Sequence, residues 1–574
     1  MPTILETDVV VVGGGMAGAY AAIGASRQGS KVLLLSKGFL AKSGCSPMAA
    51  FLSVPPYYTP PDSEQSIFED GVTGGASGIA GGSYIFLANQ EALKDTFDKA
   101  PQILADLEAM GVYFRRDEEG KFVLLGSGFD KDGKVRKPRF SLAWNFGLTG
   151  KSIMDVLKGE IIKRGIPYKD EVRVTKVLTN GGAAVGVTAI DYSTGEFFVV
   201  RAKSVILATG SGVYLWRYTT ASRECTGDGH MMALRAGAEL TDIEFVTWHF
   251  ADVAWPEAWR RLQMYPQPYP GSGFYPQWYD SKGNRFIKDV EIGSKEAQAM
   301  AVARSVVGGT VQKRGGYYAS WRHVSEDELK EWFQNYYHLK KLGLDISLDM
   351  IECGMSSHSW HGGIRTNGKT ETSVPGLYGA GGVAPNHYPR LHTALWGGKV
   401  AAIYASERAA DVSLQDLDMV QVEDEEARVT GLLRTEPANG KSPTQVKRRI
   451  WDLFFDKMWY IKDAETMKKG LEELRSIREN DVPMMRASSK SRNSNQEWVD
   501  ALDVIDMLDL GELLIMSSLR REESRGPFVR GDFPSTDDER WMKNLVIKLK
   551  DGKPEYRTEP VALTLMRPKG VVPS

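Results

Sequence analysis

Cysteine is scarce in this sequence. The 574 residues include only three cysteines, Cys45, Cys225 and Cys353, and no two of them form a C-x-x-C pair. This spacing argues against a disulfide framework. It also excludes an iron–sulfur cluster held by this chain alone, because such clusters usually take four cysteine ligands.

The sequence also lacks long apolar runs and an excess of charge of either sign. No apolar stretch approaches the roughly 20 residues of a membrane span, and the first residues do not place a basic region before an apolar one. The net charge of −2 gives no electrostatic reason to expect nucleic acid or an anionic membrane as a partner. We therefore expect a soluble cytoplasmic protein of two to four domains.

The clearest motif lies at the start of the chain. A β-branched run at residues 9–12 precedes a glycine-rich turn, a helix-compatible stretch and a second apolar run at residues 31–35. The turn contains Gly13, Gly15, Met16, Ala17 and Gly18. Glycines at this spacing permit a tight turn, close approach to a pyrophosphate and close helix packing, so the unit predicts a dinucleotide site. The second run ends without an acidic residue, which disfavours strict NAD binding.

Two later segments have the same character. Residues 204–207 form a buried-strand pattern that ends in Ala208, Thr209 and Gly210, and residues 374–380 lead into Gly381 and Gly382. Either segment alone is typical of an ordinary strand-to-helix turn. Three such turns in this order are typical of flavoproteins that return to FAD late in the chain, so we expect FAD as the cofactor.

Four blocks of sequence resemble a single family. The blocks are Ser36-Lys37 with Lys42-Ser43, the T-G-D-G run that contains Asp228, residues 357–364 and residues 521–526. They resemble the flavoprotein subunits of the fumarate reductase and succinate dehydrogenase superfamily, with features closest to the adenylylsulfate reductase α subunit. The resemblance implies that Ser36, Lys37, Lys42, Ser43 and Asp228 contact the cofactor.

The resemblance also implies an α/β fold, in which a Rossmann-like FAD-binding domain is assembled from discontinuous segments. We place its first part at residues 1–245 and its second part at residues 346–415, on either side of a capping α+β domain at 246–345. A helical domain follows at 416–540, and a C-terminal extension at 541–574. The helical spacing of apolar residues between Gln445 and Arg478 agrees with the helical domain.

Two departures from the family pattern bear on chemistry. Gly44 stands where succinate dehydrogenases carry the histidine that bonds covalently to the flavin, so we expect non-covalent FAD. Ala299 stands where fumarate reductases carry the arginine that donates a proton to the substrate. A methyl group cannot donate a proton, which predicts a substrate other than fumarate or succinate.

Histidines are concentrated late in the chain. Four of the eight, His358, His361, His387 and His392, fall within 35 residues, and the family layout brings His249 into the same space. We predict His358 and His249 as proton carriers, and Arg390 as the group that holds an anionic substrate or stabilises reduced, anionic flavin. Zinc is the competing interpretation of His358 and His361, but no cysteine or acidic cluster supports it, so we expect no metal.

The predicted function is that of a flavoprotein subunit in an FAD-dependent oxidoreductase whose substrate is a small, anionic molecule. Family members of this length commonly pair with an iron–sulfur subunit, so we expect such a partner and no direct membrane span. Two alternatives stay open. One is an adenylylsulfate reductase-like enzyme, and the other is a non-catalytic electron-transfer flavoprotein subunit.

Overall fold

A seven-stranded sheet lies at the centre of the FAD-binding region. The structure is a computed structural model that describes residues 2–52, 57, 62–73, 85–126, 138–144, 148–255, 276–287, 302–303, 305, 309, 316–332, 335–388 and 390–568. The strands of the main sheet follow the order Tyr168–Lys169, Val32–Leu35, Thr3–Val12, Glu196–Leu207, Ala183–Asp191 and Val172–Asn180, with Leu377–Gly379 also paired to Glu196–Leu207.

The parallel part of this sheet brings the ends of distant strands together. Val12 lies opposite both Leu35 and Leu207, and Leu207 lies opposite Gly379. All four residues are at or near the carboxyl ends of their strands. The turns that follow them therefore meet at one edge of the sheet, which is where open α/β sheets bind ligands.

The first strand is buried on both faces, as its continuous β-branched run predicts. Val9 and Val11 pack on the side that carries the helices Met16–Arg27 and Leu391–Asp411, whereas Val10 and Val12 belong to the core on the opposite side. None of these four valines is more than 4% exposed. Burial of each such side chain stabilises the fold by about 1.5–3 kcal/mol.

A second, antiparallel sheet forms part of the predicted capping region. Its strands follow the order Val246–Val253, Met350–Trp360, Tyr317–Ser320 and Gln277–Tyr279. The strand Met350–Trp360 thus pairs with capping strands, although we placed the start of the second FAD-binding segment at residue 346. The short helices Glu326–Trp332 and Tyr336–Lys341 lie between the third and second of these strands in sequence.

The chain after residue 415 is mainly helical. Its four longer helices are Met419–Gly431, Pro443–Lys457, Ala464–Ser476 and Gln496–Arg520. The stretch with helical spacing between Gln445 and Arg478 is therefore divided into two helices. Each has its own start signal, a Ser442–Gln445 capping box for the first and an Asp463 N-cap for the second.

The last described segment adds a hairpin rather than a free extension. The strands Lys543–Lys550 and Lys553–Pro560 pair with each other, and the first of them pairs with Leu240–Thr241, which in turn pairs with Gly363–Ile364. The residues that we assigned to a C-terminal extension thus join strands of the FAD-binding region. The edge of the short strand Leu240–Thr241 is covered by this pairing.

Shorter elements complete the described chain. The remaining α-helices are Glu64–Thr73, Gln90–Asp98, Ala100–Met110, Thr149–Lys163, Asp228–Arg235 and Asp538–Trp541, and the remaining strands are Leu124–Gly126, Pro138–Ser141, Ile461–Lys462 and Val529–Arg530. The described residues also form three 3-10 helices, Ser46–Met48, Val213–Leu215 and Gly381–Val383, and a π-helix, Ile477–Asp481. In the part of the chain that the structure describes, no helix combines the length and the apolar character needed to cross a membrane.

Candidate functional site

A cavity of about 300 Å³ opens at the carboxyl edge of the main sheet. Of the eighteen residues predicted for the site, fifteen line this cavity and three, Gly18, Lys42 and His249, do not. The predicted residues that line it are Gly13, Gly15, Met16, Ala17, Ser36, Lys37, Ser43, Ala208, Thr209, Gly210, Asp228, His358, Gly381, Gly382 and Arg390.

The first glycine turn has a backbone that only glycine allows. Gly13 has a φ of +119°, and an added Cβ would lie 2.2 Å from the Ala208 carbonyl oxygen. A Cβ on Gly18 would lie 1.8 Å from the Gly13 carbonyl oxygen, so Gly18 serves helix packing from outside the cavity. The helix Met16–Arg27 begins without a side-chain cap or an acidic residue in its first turn. Its N-terminus is therefore suited to a phosphate group.

The two later turns close on the first one. Gly381 has a φ of +74°, and a Cβ there would lie 2.8 Å from the Cβ of Ala17. A Cβ on Gly382 would lie 3.3 Å from the carbonyl carbon of Gly210. Because these backbones approach so closely, the three glycine turns form a single wall around the cavity.

Lys37 anchors a largely buried group of charges at the edge of this wall. Its ammonium lies 2.8 Å from an Asp503 carboxylate oxygen, 3.2 Å from Asp228 and 2.8 Å from the Thr226 hydroxyl. Burial by itself lowers the pKa of Lys37, but the charges of Asp228 and Asp503 outweigh it and raise the pKa. Lys37 is therefore a charged residue that links the cavity to the helix Gln496–Arg520.

The loop after Lys37 has one residue that faces away. Lys42 is exposed and does not line the cavity. Ser43 lines the cavity, and its hydroxyl accepts a hydrogen bond from the Phe39 N–H at 2.8 Å. Gly44 lines the cavity with a φ of +81°. It has no side chain, so no covalent bond to a flavin can form at this position.

His358 and His249 lie side by side on the capping sheet. Their ring centroids are 5.2 Å apart, and His249 is buried behind His358. The Nδ1 atom of His358 lies 2.8 Å from the Thr220 hydroxyl. Thr220 also lines the cavity, and it was not predicted from the sequence because no motif marks it.

Arg390 lines the same cavity just before the helix Leu391–Asp411. Its guanidinium lies 5.7 Å from the centre of the Tyr388 ring. The Nε atom is buried and has no hydrogen-bond partner among the described residues. A fixed positive charge with a vacant donor is suited to an anionic group.

The other three late histidines are packing residues rather than cavity residues. His387 Nε2 lies 2.9 Å from Asp242, and His392 packs against Phe97 and Tyr388. Burial, followed by the charges of His387 and Arg390, holds the pKa of His361 well below its usual range. Among the described residues, no group of three or more His, Cys, Asp or Glu side chains is arranged to hold a metal ion.

A second buried ionic group lies next to the late histidines, outside the cavity lining. Arg521 donates to Glu244 at 2.6 Å, to Asp242 at 3.3 Å and to Glu523 at 2.9 Å. Asp242 in turn holds His387. Through Arg521 and Asp242, the C-terminal block at residues 521–526 therefore holds the segment that carries His387 in place. Ala299, on which the substrate argument depends, lies outside the described residues.

The cavity has the polar groups that a bound FAD requires. Thr209 Oγ1 and Thr393 Oγ1 are buried without a hydrogen-bond partner among the described residues, and both residues line the cavity. Buried donors and acceptors of this kind are normally satisfied by a ligand or by water. The residues present thus fit a dinucleotide whose phosphates lie at the glycine turns.

Comparison with known proteins defines the class. The sequence matches the FAD binding domain family over residues 8–392 and the fumarate reductase flavoprotein C-terminal family over residues 447–572. The chain belongs to the FAD binding domain family. It is an FAD-dependent oxidoreductase of the fumarate reductase/succinate dehydrogenase flavoprotein type, so the predicted family, fold class and cofactor are confirmed.

Individual relatives share the whole length of the chain. One chain of the fumarate reductase (CoM/CoB) of Methanothermobacter marburgensis is 27% identical over 573 residues, which covers 95% of this chain and 98% of that protein. A variant FrdA chain of E. coli quinol fumarate reductase superposes with a TM-score of 0.85 at 22% identity, covering 99% and 98% of the two chains. Adenylylsulfate reductase of Archaeoglobus fulgidus gives a TM-score of 0.75 at 19% identity, covering 99% and 98%. At these identities the two structures show the fold alone.

Proposed function

We propose that the chain is the flavoprotein subunit of an oxidoreductase that does two-electron chemistry on a small, anionic substrate other than fumarate or succinate. An iron–sulfur subunit is its proposed electron partner, because this chain has too few cysteines for a cluster of its own. Bound FAD supplies the group that accepts or delivers the electron pair. The observation that carries the proposal is the placement of His358 and Arg390 on the same cavity as the glycine turns.

His358 is the proposed proton carrier. The Thr220 hydroxyl lies 2.8 Å from its Nδ1 atom and fixes the orientation of the ring. A histidine oriented in this way exchanges protons near neutral pH through its other ring nitrogen. His249, with its ring centroid 5.2 Å away, is proposed to assist by holding the His358 ring in place or by relaying the proton.

Arg390 is the proposed anion-binding residue. Its guanidinium is a positively charged donor group, and its buried Nε lacks a protein partner among the described residues. A carboxylate, sulfate or phosphate oxygen can satisfy that donor with a charge-assisted hydrogen bond. The anionic character of the proposed substrate follows from this residue.

The first experiment replaces His358 by Ala in the purified holoenzyme. We expect FAD content to stay unchanged and turnover to fall by about 10²–10⁴-fold, the usual contribution of a general acid or base. The matched control is His338→Ala, because His338 is exposed on the capping helix Tyr336–Lys341. Unchanged turnover in His358→Ala would remove His358 from the mechanism.

The companion variant is Arg390→Ala. Loss of a charged hydrogen bond costs about 1.5–3 kcal/mol, so we expect KM to rise by about 10–100-fold with FAD still bound. Arg217→Ala is the control, since Arg217 pairs with the half-exposed Asp452 away from the cavity. An unchanged KM would contradict the anion-binding role.

The substrate is tested with a panel of fumarate, succinate, adenylylsulfate and sulfite, using artificial electron carriers. The register of Ala299 predicts no turnover with fumarate or succinate, and turnover with either would contradict that part of the proposal. Adenylylsulfate reductase-like activity is the second candidate, supported by the 357–364 block and by the position of His358 on the cavity. Loss of flavin absorbance on addition of sulfite would favour it.

A further inference from the structure

Two cysteines that are far apart in sequence meet at the cofactor cavity. The Sγ atoms of Cys45 and Cys225 are 3.6 Å apart, although 180 positions separate the two residues. Both residues line the cavity, Cys45 as an exposed residue and Cys225 as a buried one. The third cysteine, Cys353, lies in the strand Met350–Trp360 of the capping sheet and does not line the cavity.

The backbone holds both sulfurs in place. Cys45 follows Gly44, which has a φ of +81°. The Cys45 carbonyl accepts a hydrogen bond from the Met48 N–H. The Cys225 N–H donates to the Ser222 carbonyl, and the Cys225 carbonyl accepts from the Tyr214 N–H. The contact therefore results from two fixed turns rather than from two freely rotating ends of chain.

Cys225 also touches a turn of the cofactor wall. A Cβ added to Gly210 would lie 3.4 Å from the Cys225 sulfur. Gly210 belongs to the turn that follows the strand Glu196–Leu207, and Cys45 is next to Gly44 on the loop after Lys37. The pair thus connects two of the segments that line the cavity.

The sulfur pair has the chemistry of a reactive dithiol. The hydrogen bond with Cys225 lowers the pKa of the Cys45 thiol to about 7, and the same contact raises the pKa of the Cys225 thiol. A thiolate is the form that attacks sulfur and gives up electrons. A disulfide has an S–S distance of about 2.05 Å, so a small movement of the two side chains toward each other is sufficient to form the bond.

We propose that Cys45 and Cys225 form a redox-active dithiol–disulfide pair that exchanges two electrons with the FAD of the same cavity. In the oxidising direction two S–H bonds break and one S–S bond forms. Two electrons and two protons leave the thiols, and oxidised flavin is the two-electron acceptor. In the reverse direction reduced flavin returns two electrons, two protons are taken up and the S–S bond is broken.

The test is an anaerobic reductive titration of the holoenzyme after mild oxidation with ferricyanide. The amount of dithionite consumed per chain is compared between the wild-type protein and the Cys45→Ser and Cys225→Ser variants, with FAD content measured for each. We expect wild-type protein to consume one more two-electron equivalent per chain than either variant. The matched control is Cys353→Ser, which should consume as much as the wild-type protein.

A second measurement does not depend on the flavin. Mass spectrometry of the oxidised protein should show a peptide linked through Cys45 and Cys225, and thiol counting should give one free cysteine before reduction and three after it. Equal dithionite consumption in the wild-type and Cys45→Ser proteins, or three free thiols after oxidation, would overturn the proposal. If one serine variant loses FAD, the other variant and the wild-type thiol count still decide the question.

Discussion

The two ends of the cofactor cavity are built in different ways. At the phosphate end the wall consists of backbone from three glycine turns, and each turn directly follows a parallel strand of the same sheet. At the reacting end the wall consists of side chains, among them His358 and Arg390, which come from separate segments of the fold. The first end needs the absence of side chains, and the second needs particular side chains.

This difference determines how each end tolerates change. A Cβ on Gly13 or Gly18 meets backbone atoms that cannot move without disturbing neighbouring segments. At the reacting end a shortened side chain leaves the backbone intact, so binding of FAD and chemistry can be separated. Substitutions at the two ends are therefore expected to differ in kind as well as in size.

The largest effect is expected at the phosphate end, from Gly13→Ala. The φ of +119° and the 2.2 Å approach to the Ala208 oxygen combine strain of about 1–3 kcal/mol with a direct clash. We expect purified protein that retains little or no FAD, measured by flavin absorbance. Gly29→Ala is the matched control, because Gly29 has a φ of +85° with nothing near its added Cβ. If both variants lose FAD equally, backbone strain rather than the clash with the Ala208 oxygen explains the loss of FAD.

The next effect tests whether the helical region supports the phosphate end. Asp503 contacts Lys37 at 2.8 Å, Arg173 at 3.2 Å and Lys447 at 3.3 Å, all of them largely buried. Asp503→Ala leaves these cations without their shared partner and should lower the free energy of unfolding by about 3–5 kcal/mol. Asp452→Ala removes a half-exposed carboxylate and should cost about 0–1 kcal/mol. If urea unfolding shows a similar loss of free energy of unfolding in both variants, the charge cluster around Asp503 contributes little to stability.

The same aspartate predicts a response to acid. Burial alone raises the pKa of a carboxyl, but the charges of Lys37, Lys447 and Arg173 outweigh it and hold the pKa of Asp503 well below its usual range. Because the folded pKa lies below the unfolded value of about 3.9, the stabilisation is complete above that pH. It is lost as the pH falls below about 4. Asp503→Asn should flatten this acid limb of the unfolding curve.

The effect that is smallest near neutral pH concerns the reacting end, where His392 packs without lining the cavity. Burial, followed by the charge of Arg390, lowers the pKa of His392 to about 3. Between about pH 6.5 and 3 the unfolded chain binds a proton that the folded chain does not, so stability falls as the pH falls. The expected slope is about 1.4 kcal/mol per pH unit. His392→Leu should remove that slope without changing KM, whereas a change in KM would mean that His392 belongs to the site.

Most of the glycine-turn residues that line the cavity were among those predicted from the sequence, and the rest of the cavity lining was predicted only in part. Gly13, Thr209 and Gly381 were found because each glycine turn follows its own apolar strand in sequence. His358 and Arg390 required the family resemblance, since nothing local marks them. Lys42 was predicted with its neighbours but is exposed and does not line the cavity, whereas the residues that follow it, Ser43, Gly44 and Cys45, do line it. The domain division stays a prediction, although the strand Met350–Trp360 crosses one of its boundaries.

Some features gave no signal in the sequence. The hairpin at residues 543–560 completes a sheet with Leu240–Thr241. No local sequence pattern predicts which distant strand such a hairpin pairs with. Asp503 looks like one of many surface aspartates until the helix Gln496–Arg520 is placed against Lys37. The hydroxyl of Thr220 becomes relevant only once His358 lies beside it.

By itself the sequence determined the strands next to the glycine turns, the turns themselves and the dinucleotide site, because these depend on neighbours within a few residues. It also showed that the chain is poor in cysteine and that no two cysteines are close in sequence. Only the tertiary structure decided that Cys45 and Cys225 lie 3.6 Å apart. Contacts between distant residues depend on how the whole sheet and its turns pack, and that information is absent from any short stretch of sequence.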